Sequence, residues 1–409
     1  MRDLLSRPLL VLLAGSLLAG CAHVPGRSGA TLAGQDEPRP VPVPPPSGDP
    51  LPAPVPDTTA ATGTTPAGET EQPIVFAAVG DVMLGSAFPD TSKGSLLPPD
   101  DGASELAEVT PVLQAADVAF GNLEGPLLDA GASEKCKNAK PGRCYAFRVP
   151  ERYGDHLAAA GFDVFSLANN HVGDFGDAGR ERTRAVLDAH GIAYSGAVGE
   201  VAHLTVRGTR VALVAFSISS GTNDLRDVEH AAEWVRQLRG EADLVVVSFH
   251  GGAEGAAYQH VPAGPEPFYG EDRGDLRRFA HAVIDAGAGL VLGHGPHVVR
   301  ALEVYRGRLI AYSLGNFATY EGMNLSGPNG LSLVLEARVA KDGSFLSGMI
   351  HPALQAKPGG PRWDPSRAVI PVLRKLSQED MGAGAPQIAD DGTISPPPAQ
   401  GEERPAPGA

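Results

Sequence analysis

Between Ile74 and Leu376, short apolar runs alternate with longer amphipathic stretches, and most of the runs stop at a small polar motif. Apolar runs of about four to eight residues are strands buried on both faces, and apolar residues three and four apart are helices that cover them. The alternation restricts the chain to an α/β architecture, a sheet under helices. Strands are expected at Ile74–Val79, Asp117–Phe120, Val164–Ala168, Val211–Phe216, Leu244–Phe249 and Leu290–Leu292. Helices are expected at Leu106–Ala116, Glu151–Ala160, Ala178–His190, Ala231–Leu238 and Asp275–Ala286. Beyond Leu292 the pattern changes: Ala301–Tyr305 and Leu309–Leu314 flank Arg306-Gly307-Arg308, and Leu331–Val339 and Phe345–His351 flank Lys341-Asp342-Gly343-Ser344. Both pairs read as hairpins. An α/β layer closed by antiparallel strands predicts a sandwich rather than an open sheet.

The polar motifs at the strand ends are Gly80-Asp81, Asn122-Leu123-Glu124, Asn169-Asn170-His171, His250, His294-Gly295-Pro296-His297 and Gly315-Asn316. Taken singly each has an ordinary reading. Gly-Asp is a turn, a strand-end His is a bonded core residue, and an Asn pair closes the turn after a strand. Taken together they supply carboxylate, amide oxygen and imidazole from separate loops, the ligand types that hold divalent metal ions and activate water. Glycine beside the polar residue, as at Gly80, Gly121, Gly251 and Gly293, suits a tight turn that brings a side chain into a cleft.

The two ends of the chain have a different composition. Arg2 and Arg7 precede the apolar segment Leu9–Leu18, as in a secretory signal, and that segment is too short to span a bilayer, which takes about 20 residues. Leu18-Ala19-Gly20-Cys21 resembles the lipobox of bacterial lipoproteins, which implies cleavage before Cys21 and lipidation of its thiol. Ala22, rather than Asp, follows Cys21, which favours the outer membrane, facing periplasm or surface, over the inner one. Residues 22–73 are rich in Pro, Ala, Thr and Gly and are expected to form a disordered tether, and 381–409 a disordered tail. The folded domain is expected over 74–380. The chain has 3 cysteines. With Cys21 lipidated, Cys136 and Cys144 remain as a candidate disulfide in an oxidising envelope, two free thiols being the alternative. A formal net charge of −15 argues against nucleic acid as a partner and against charge-driven adhesion to anionic headgroups. A polyanionic substrate would need local cations.

The ordered set Gly80-Asp81-Val82-Met83-Leu84-Gly85, Asn122-Leu123-Glu124, Ala168-Asn169-Asn170-His171, Gly293-His294-Gly295-Pro296-His297 and Tyr312-Ser313-Leu314-Gly315-Asn316-Phe317 resembles the CapA family of capsule-synthesis and poly-γ-glutamate-synthesis proteins. The resemblance covers about residues 74 to 350. It implies the four-layer α/β/β/α sandwich of calcineurin-like metallophosphoesterases in a single domain, with one or two divalent ions (Mn, Zn, Fe or Mg) at the strand ends. Carried over by position, Asp81 binds metal, Glu124 is the bridging carboxylate, and Asn170, His250, His294 and His297 complete the ligand set. His171 is the catalytic residue that protonates a leaving group. Asp174, Glu254, Glu303 and Asn316 would orient the ligands. Arg273, Arg277 and Arg278 form a candidate anion-binding group, with a solvated charged face as the alternative.

Three positions depart from the pattern: Met83 and Gly295 stand where His is common, and Gly251 where Trp is common. The resemblance implies a surface-anchored protein that makes, handles or trims an anionic envelope polymer, with that polymer or its synthase complex as partner and a membrane anchor at Cys21. The alternative is a non-catalytic module that keeps the fold and binds polymer or synthase.

Overall fold

In the computed structural model, which describes residues 72–88, 96–138 and 144–398, alternate residues of the first strand enter different cores. Phe76 and Ala78 face one, Ala77 and Val79 the other. A strand with apolar neighbours on both sides has no polar face, and this is why it reads as an unbroken apolar run. The signal segment, Cys21 and the tether up to Glu71 lie outside the described residues.

Along the chain the elements are β1 (Ile74–Met83), α1 (Thr110–Ala115), β2 (Val118–Leu123), α2 (Gly154–Ala160), β3 (Val164–Ser166), α3 (Gly176–Ala189) and β4 (Ala193–Ser195). The next group is β5 (Val201–Val206), β6 (Thr209–Ser217), β7 (Asn223–Asp224), α4 (Val228–Glu241), β8 (Leu244–His250), β9 (Pro267–Phe268), β10 (Glu271–Asp272), α5 (Leu276–Asp285) and β11 (Leu290–His294). After β11 come β12 (Leu302–Tyr305), β13 (Arg308–Ala311), β14 (Asn316–Thr319), β15 (Leu331–Val339), β16 (Phe345–Leu354) and β17 (Arg362–Trp363). Helix α6 (Val369–Met381), β18 (Gln387–Ile388) and β19 (Thr393–Ser395) follow.

Two sheets result. One runs β18-β19-β16-β15-β1-β2-β3-β4, with β14 also on β1 and β17 on β16; the other runs β12-β13-β11-β8-β6-β5, with β7 on β6. Phe76, Phe120, Leu213, Val246, Leu292, Leu335 and Ile350 fill the space between them. The outer face of the first sheet packs on α1, α2 and α3 through residues such as Leu113, Leu157 and Leu187. The outer face of the second packs on α4 and α5 through Val235, Phe279 and Val283. The layers are therefore α/β/β/α, with a mixed rather than a purely parallel sheet in each half.

Sequence patterning missed several elements. Helix α1 begins at Thr110 instead of Leu106, with Pro111 in its first turn, where a missing N–H costs nothing. Strands β4 and β5 are at or beside a sheet edge and carry exposed or half-exposed positions, so neither forms an apolar run. The expected disordered tail is corrected over 381–398: β18 and β19 extend the first sheet beyond β16, and Ile388 and Ile394 are buried in the core between the sheets. Two isoleucines either side of an Asp391-Gly392 turn suffice to dock this hairpin, and the Pro and Gly around them hid it. Residues 399–409 lie outside the described part. No helix among the described residues is long and apolar enough to cross a membrane.

Candidate metal centre

Parallel strands in register end at the same level, and this sets the first half of the site. Asp81 pairs with Asn122 across β1 and β2, and Asn122 with Ser166 across β2 and β3. In the second sheet Ser217, His250 and His294 are neighbours across β6, β8 and β11. Side-chain bonds then join the two sheets at these ends. His294 Nε2 donates to the Val79 carbonyl at 3.1 Å, Asn122 Nδ2 lies 3.3 Å from His250 Nδ1, and His297 Nδ1 lies 3.0 Å from Asp81 Oδ2. At Gly80, β1 exchanges β15 for β14 as its neighbour, and a Cβ there would stand 2.0 Å from the Gly315 carbonyl oxygen. Only glycine allows that approach, and it leaves the Asp81 N–H bonded to Gly315 O at 2.9 Å.

Asp81, Asn122 and Glu124 are all fully buried. Asp81 accepts from Asn122 Nδ2 at 2.9 Å, and Asn122 Oδ1 accepts from Asn169 Nδ2 at 3.1 Å. Asn169 also donates to the Leu123 carbonyl and accepts from the His171 N–H, so this amide chain ties three strand ends together. Glu124 differs: neither of its carboxylate oxygens has a hydrogen-bond partner among the described residues. Its Oε1 lies 3.8 Å from both His250 Nε2 and His297 Nε2. Asp81, Glu124 and His297 each offer one ligand atom, and these lie within 4.8 Å of one another. Around them His250 Nε2, His294 Nδ1 and Asn170 Oδ1 are also buried without a partner. A buried carboxylate without a donor is costly. A divalent cation is the group that would satisfy carboxylate oxygens and imidazole lone pairs together, so the residues present fit one.

The electrostatics agree with that donor set. Burial alone would raise the Asp81 carboxyl, but the bond to His297 and its charge bring it down to about 2. Burial, then the Asp81 charge, pushes Glu124 well above the usual carboxylate range. Burial also holds His250 well below, and His294 below, the ordinary imidazole value, so both are neutral and able to ligate. For His297 burial acts downward, yet the Glu124 charge and the Asp81 contact carry it up to about 10. Without a cation the Asp81–Glu124–His297 group therefore keeps a proton at neutral pH. His297 also has a φ of +56°, an uncommon conformation for a residue with a side chain, and Asn316 and Asn329 both donate to its carbonyl at 3.2 Å.

His171 stands beside this group. Its Nδ1 lies 2.6 Å from Asp174 Oδ2, and its ring packs at 4.3 Å on Phe147. Asp174 Oδ2 also accepts from the Phe147 N–H at 2.8 Å, and Asp174 Oδ1 is 3.1 Å from Lys135 Nζ. Ionised Asp174 can only accept, so His171 carries its proton on Nδ1 and leaves Nε2 as the basic nitrogen. Cys136 and Cys144 form a disulfide with Cα atoms 5.7 Å apart.

Of the residues singled out in the sequence, Asp81, Glu124, His250, His294 and His297 are brought to these strand ends, with Asn170 and His171 on the turn after β3. His297, and not His294, completes the group with Asp81 and Glu124; His294 spends Nε2 on the Val79 carbonyl. Asn316 Oδ1 lies 3.2 Å from His297 Nδ1. Glu254 pairs with Arg273, and its charge acts on Glu124 and His297. Glu303 is a correction. It bonds Tyr312 Oη at 2.7 Å and His281 Nε2 at 2.9 Å on the helix-covered side of β12, and so orients no ligand. Arg277 and Arg278 are also elsewhere: Arg277 donates to the Val261 and Asp380 carbonyls, and Arg278 pairs with Glu229.

Asn122, Asn169, Asn329 and Lys135 received no role from the sequence. The first two lie inside quoted motifs and could have been suspected from them; Asn329 sits in the short 3-10 turn Gly327–Gly330 and Lys135 in a loop, neither with a sequence pattern. The glycines that break the family pattern have a packing reason. A Cβ on Gly295, whose φ is +113°, would lie 2.6 Å from the Gly251 carbonyl oxygen, so a side chain here requires a different backbone path.

Residues 75–321 match the family described as "Bacterial capsule synthesis protein PGA_cap". The chain is 30% identical over 234 residues to the "Capsule biosynthesis protein CapA" of Bacillus anthracis, covering 52% of this chain and 53% of that protein. It is 30% identical over 284 residues to the "PGA biosynthesis protein CapA" of Bacillus subtilis, covering 64% and 68%. The matches thus span between about half and about two thirds of these relatives' length. Among solved structures, a putative 5'-nucleotidase from Staphylococcus aureus aligns with a TM-score of 0.41 and 13% identity over 75% of this chain and 58% of that one, too loose a likeness to bear on function.

Proposed function

The chain belongs to the bacterial capsule synthesis protein family PGA_cap, and from that membership we propose that its strand ends form a divalent-metal centre acting on an anionic envelope polymer. The observation that carries this reading is Glu124: a fully buried carboxylate with both oxygens unpartnered, grouped with Asp81 and His297. A cation held there would polarise a phosphoester or amide and lower the pKa of a bound water, the chemistry of a metallophosphoesterase-type hydrolase. The protein's own groups do the rest. Asp81, Glu124 and His297 would hold the ion, with His250, His294 and Asn170 supplying the unpartnered atoms around it. Asn122 and Asn316 fix Asp81 and His297 in place. Asp174 fixes the His171 tautomer, so His171 Nε2 is free to take a proton and return it to a leaving group.

The test is metal content. Protein lacking the first 72 residues, dialysed against Mn or Zn and analysed for metal, is expected to retain one or two ions per chain; a stoichiometry near zero overturns the reading. Metal uptake should also displace the proton of the Asp81–Glu124–His297 group. Affinity therefore rises with pH toward about 10, the value to which His297 is raised, and falls in acid. Calorimetry in buffers of different ionisation enthalpy measures that release; uptake at pH 7 with no proton released contradicts it.

A second reading, a polymer- or synthase-binding module without catalysis, draws support from Met83, which is buried where a His ligand would be expected. It predicts that changing Asp81, Glu124 and His250 together to Ala leaves the capsule intact. We further infer an anchor at Cys21 on an envelope membrane, with the domain reaching outward and a synthase complex as neighbour. Cys21→Ser should abolish labelling by radioactive palmitate and release the protein from membranes. Unchanged labelling would remove the anchor from the account.

A further inference from the structure

Lys135 stands beside the His171 side of the centre on a segment that belongs to neither sheet. Its Nζ lies 3.1 Å from Asp174 Oδ1, 3.2 Å from the Asn170 carbonyl oxygen and 3.4 Å from His171 Nδ1. An ammonium has three donors. One goes to the Asn170 carbonyl, while Asp174 Oδ1 is held as an ion pair with no hydrogen bond of its own. Another faces His171 Nδ1, which already directs its own proton to Asp174 at 2.6 Å and has no lone pair to offer. The side chain is 36% exposed while Asp174 is fully buried, so an incoming acceptor can reach the ammonium. Of the cations whose charge reaches the centre, Arg273 is paired with two carboxylates, Glu254 and Glu271, and Lys135 with one, Asp174. Lys135 acts on both Glu124 and His171. In a chain of net charge −15, this is the local cation that an anionic ligand needs.

The segment is held at both ends by one residue. Ser133 Oγ and the Lys135 N–H donate to the Asp174 carbonyl at 2.9 and 3.3 Å, and the Phe147 N–H donates to its carboxylate at 2.8 Å. Between these anchors Cys136 and Cys144 cross-link the two arms. Among the described residues 133–138 and 144–147 there is no helix or strand, so the cross-link is the covalent restraint on where Lys135 sits. Opening it removes that restraint and lowers the fraction of time Lys135 spends beside His171.

We propose that Lys135 receives an oxyanion of the substrate, phosphate or carboxylate, beside the metal centre, and that the Cys136–Cys144 disulfide holds it there. The assignment rests on the strand ends being a site for an anionic polymer. It makes Lys135 a residue of specificity and the envelope's oxidising state a condition for binding.

Calorimetric titration of the full chain, with and without Mn, uses inorganic phosphate in one arm and glutarate in the other. Lys135→Met should weaken the recognised anion about tenfold, the worth of one charge-assisted hydrogen bond. Lys135→Arg should restore it to within about threefold, a rescue that a purely structural lysine would not require. The Cys136→Ser/Cys144→Ser variant should weaken the same anion, with no further loss when Lys135→Met is added, because both act through one contact. Whichever probe responds distinguishes a phosphate substrate from a carboxylate one. Unchanged affinity in Lys135→Met overturns the assignment, as does a wild type that binds neither probe, or a cysteine effect that adds in full to the lysine effect. Mn binding measured alone keeps the two claims apart: lost Mn binding with a surviving lysine effect removes the metal reading only, and retained Mn binding without a lysine effect removes this one.

Discussion

Glu124→Ala protein should bind Mn or Zn at least about 100-fold more weakly than the wild type, beyond the cost of losing a residue that only supports a ligand. The expectation follows from geometry: the carboxylate is fully buried, has no hydrogen-bond donor among the described residues, and sits with Asp81 and His297 around a space where three ligand atoms come within 4.8 Å of one another. A structural carboxylate would show the opposite pattern, since its removal would leave donors unsatisfied. Stability gives an independent sign. In the metal-free protein Glu124 is an unpartnered buried acid, so Glu124→Gln should unfold at the same urea concentration as the wild type or a higher one. Loss of metal together with unchanged or increased metal-free stability identifies a ligand. Wild-type metal affinity in Glu124→Ala would end the proposal of a metal centre here.

Arg300→Met should lower the unfolding free energy by about 3–5 kcal/mol, the usual cost of breaking a buried ion pair from one side. Arg300 is fully buried and makes two bonds to Glu266, at 2.8 and 2.9 Å, with two more to the carbonyls of Tyr258 and Ala253 at 2.8 and 3.0 Å. Glu266 in turn accepts from the Ala253 N–H at 3.0 Å. The pair thus fastens the segment that follows His250 to the chain just beyond His297. Removing the guanidinium alone leaves Glu266 buried and charged. Replacing both residues with Met should recover part of the loss, because no buried charge is then left unpaired, while the Tyr258 and Ala253 carbonyls still lack their donor. Urea unfolding of both single variants and the double variant measures the cycle. A single-variant loss below about 1 kcal/mol would mean that the segment is held by other contacts.

How far the site could be read in advance depended on chain-local signals. The positions of Asp81, Glu124, His250 and His297 were visible because each follows an apolar run, and a run buried on both faces has to end where polar groups can be accommodated. Asn122 was visible as a motif member but not as the hub that donates to Asp81 and faces His250, since that role needs β1, β2 and β8 together. Lys135 gave no signal in a loop of mixed composition. Glu303 misled: it lies close in sequence to the His297 motif, but the alternation of β12 turns its side chain toward Tyr312 and His281. The hairpin of β18 and β19 was lost among Pro and Gly because two isoleucines are too few for a periodic pattern.

The amino-acid order alone settled the α/β alternation, the strand ends that bear polar groups, and the chemical types gathered there. It could do so because burial on two faces and turn formation are properties of short segments. Which His joins the two carboxylates, which amide spans the sheets, and which cation stands beside His171 were decided only by the packed structure. Those choices depend on the register between strands and on close backbone approaches, Gly80 to Gly315 and Gly251 to Gly295, distances that no local stretch of sequence contains.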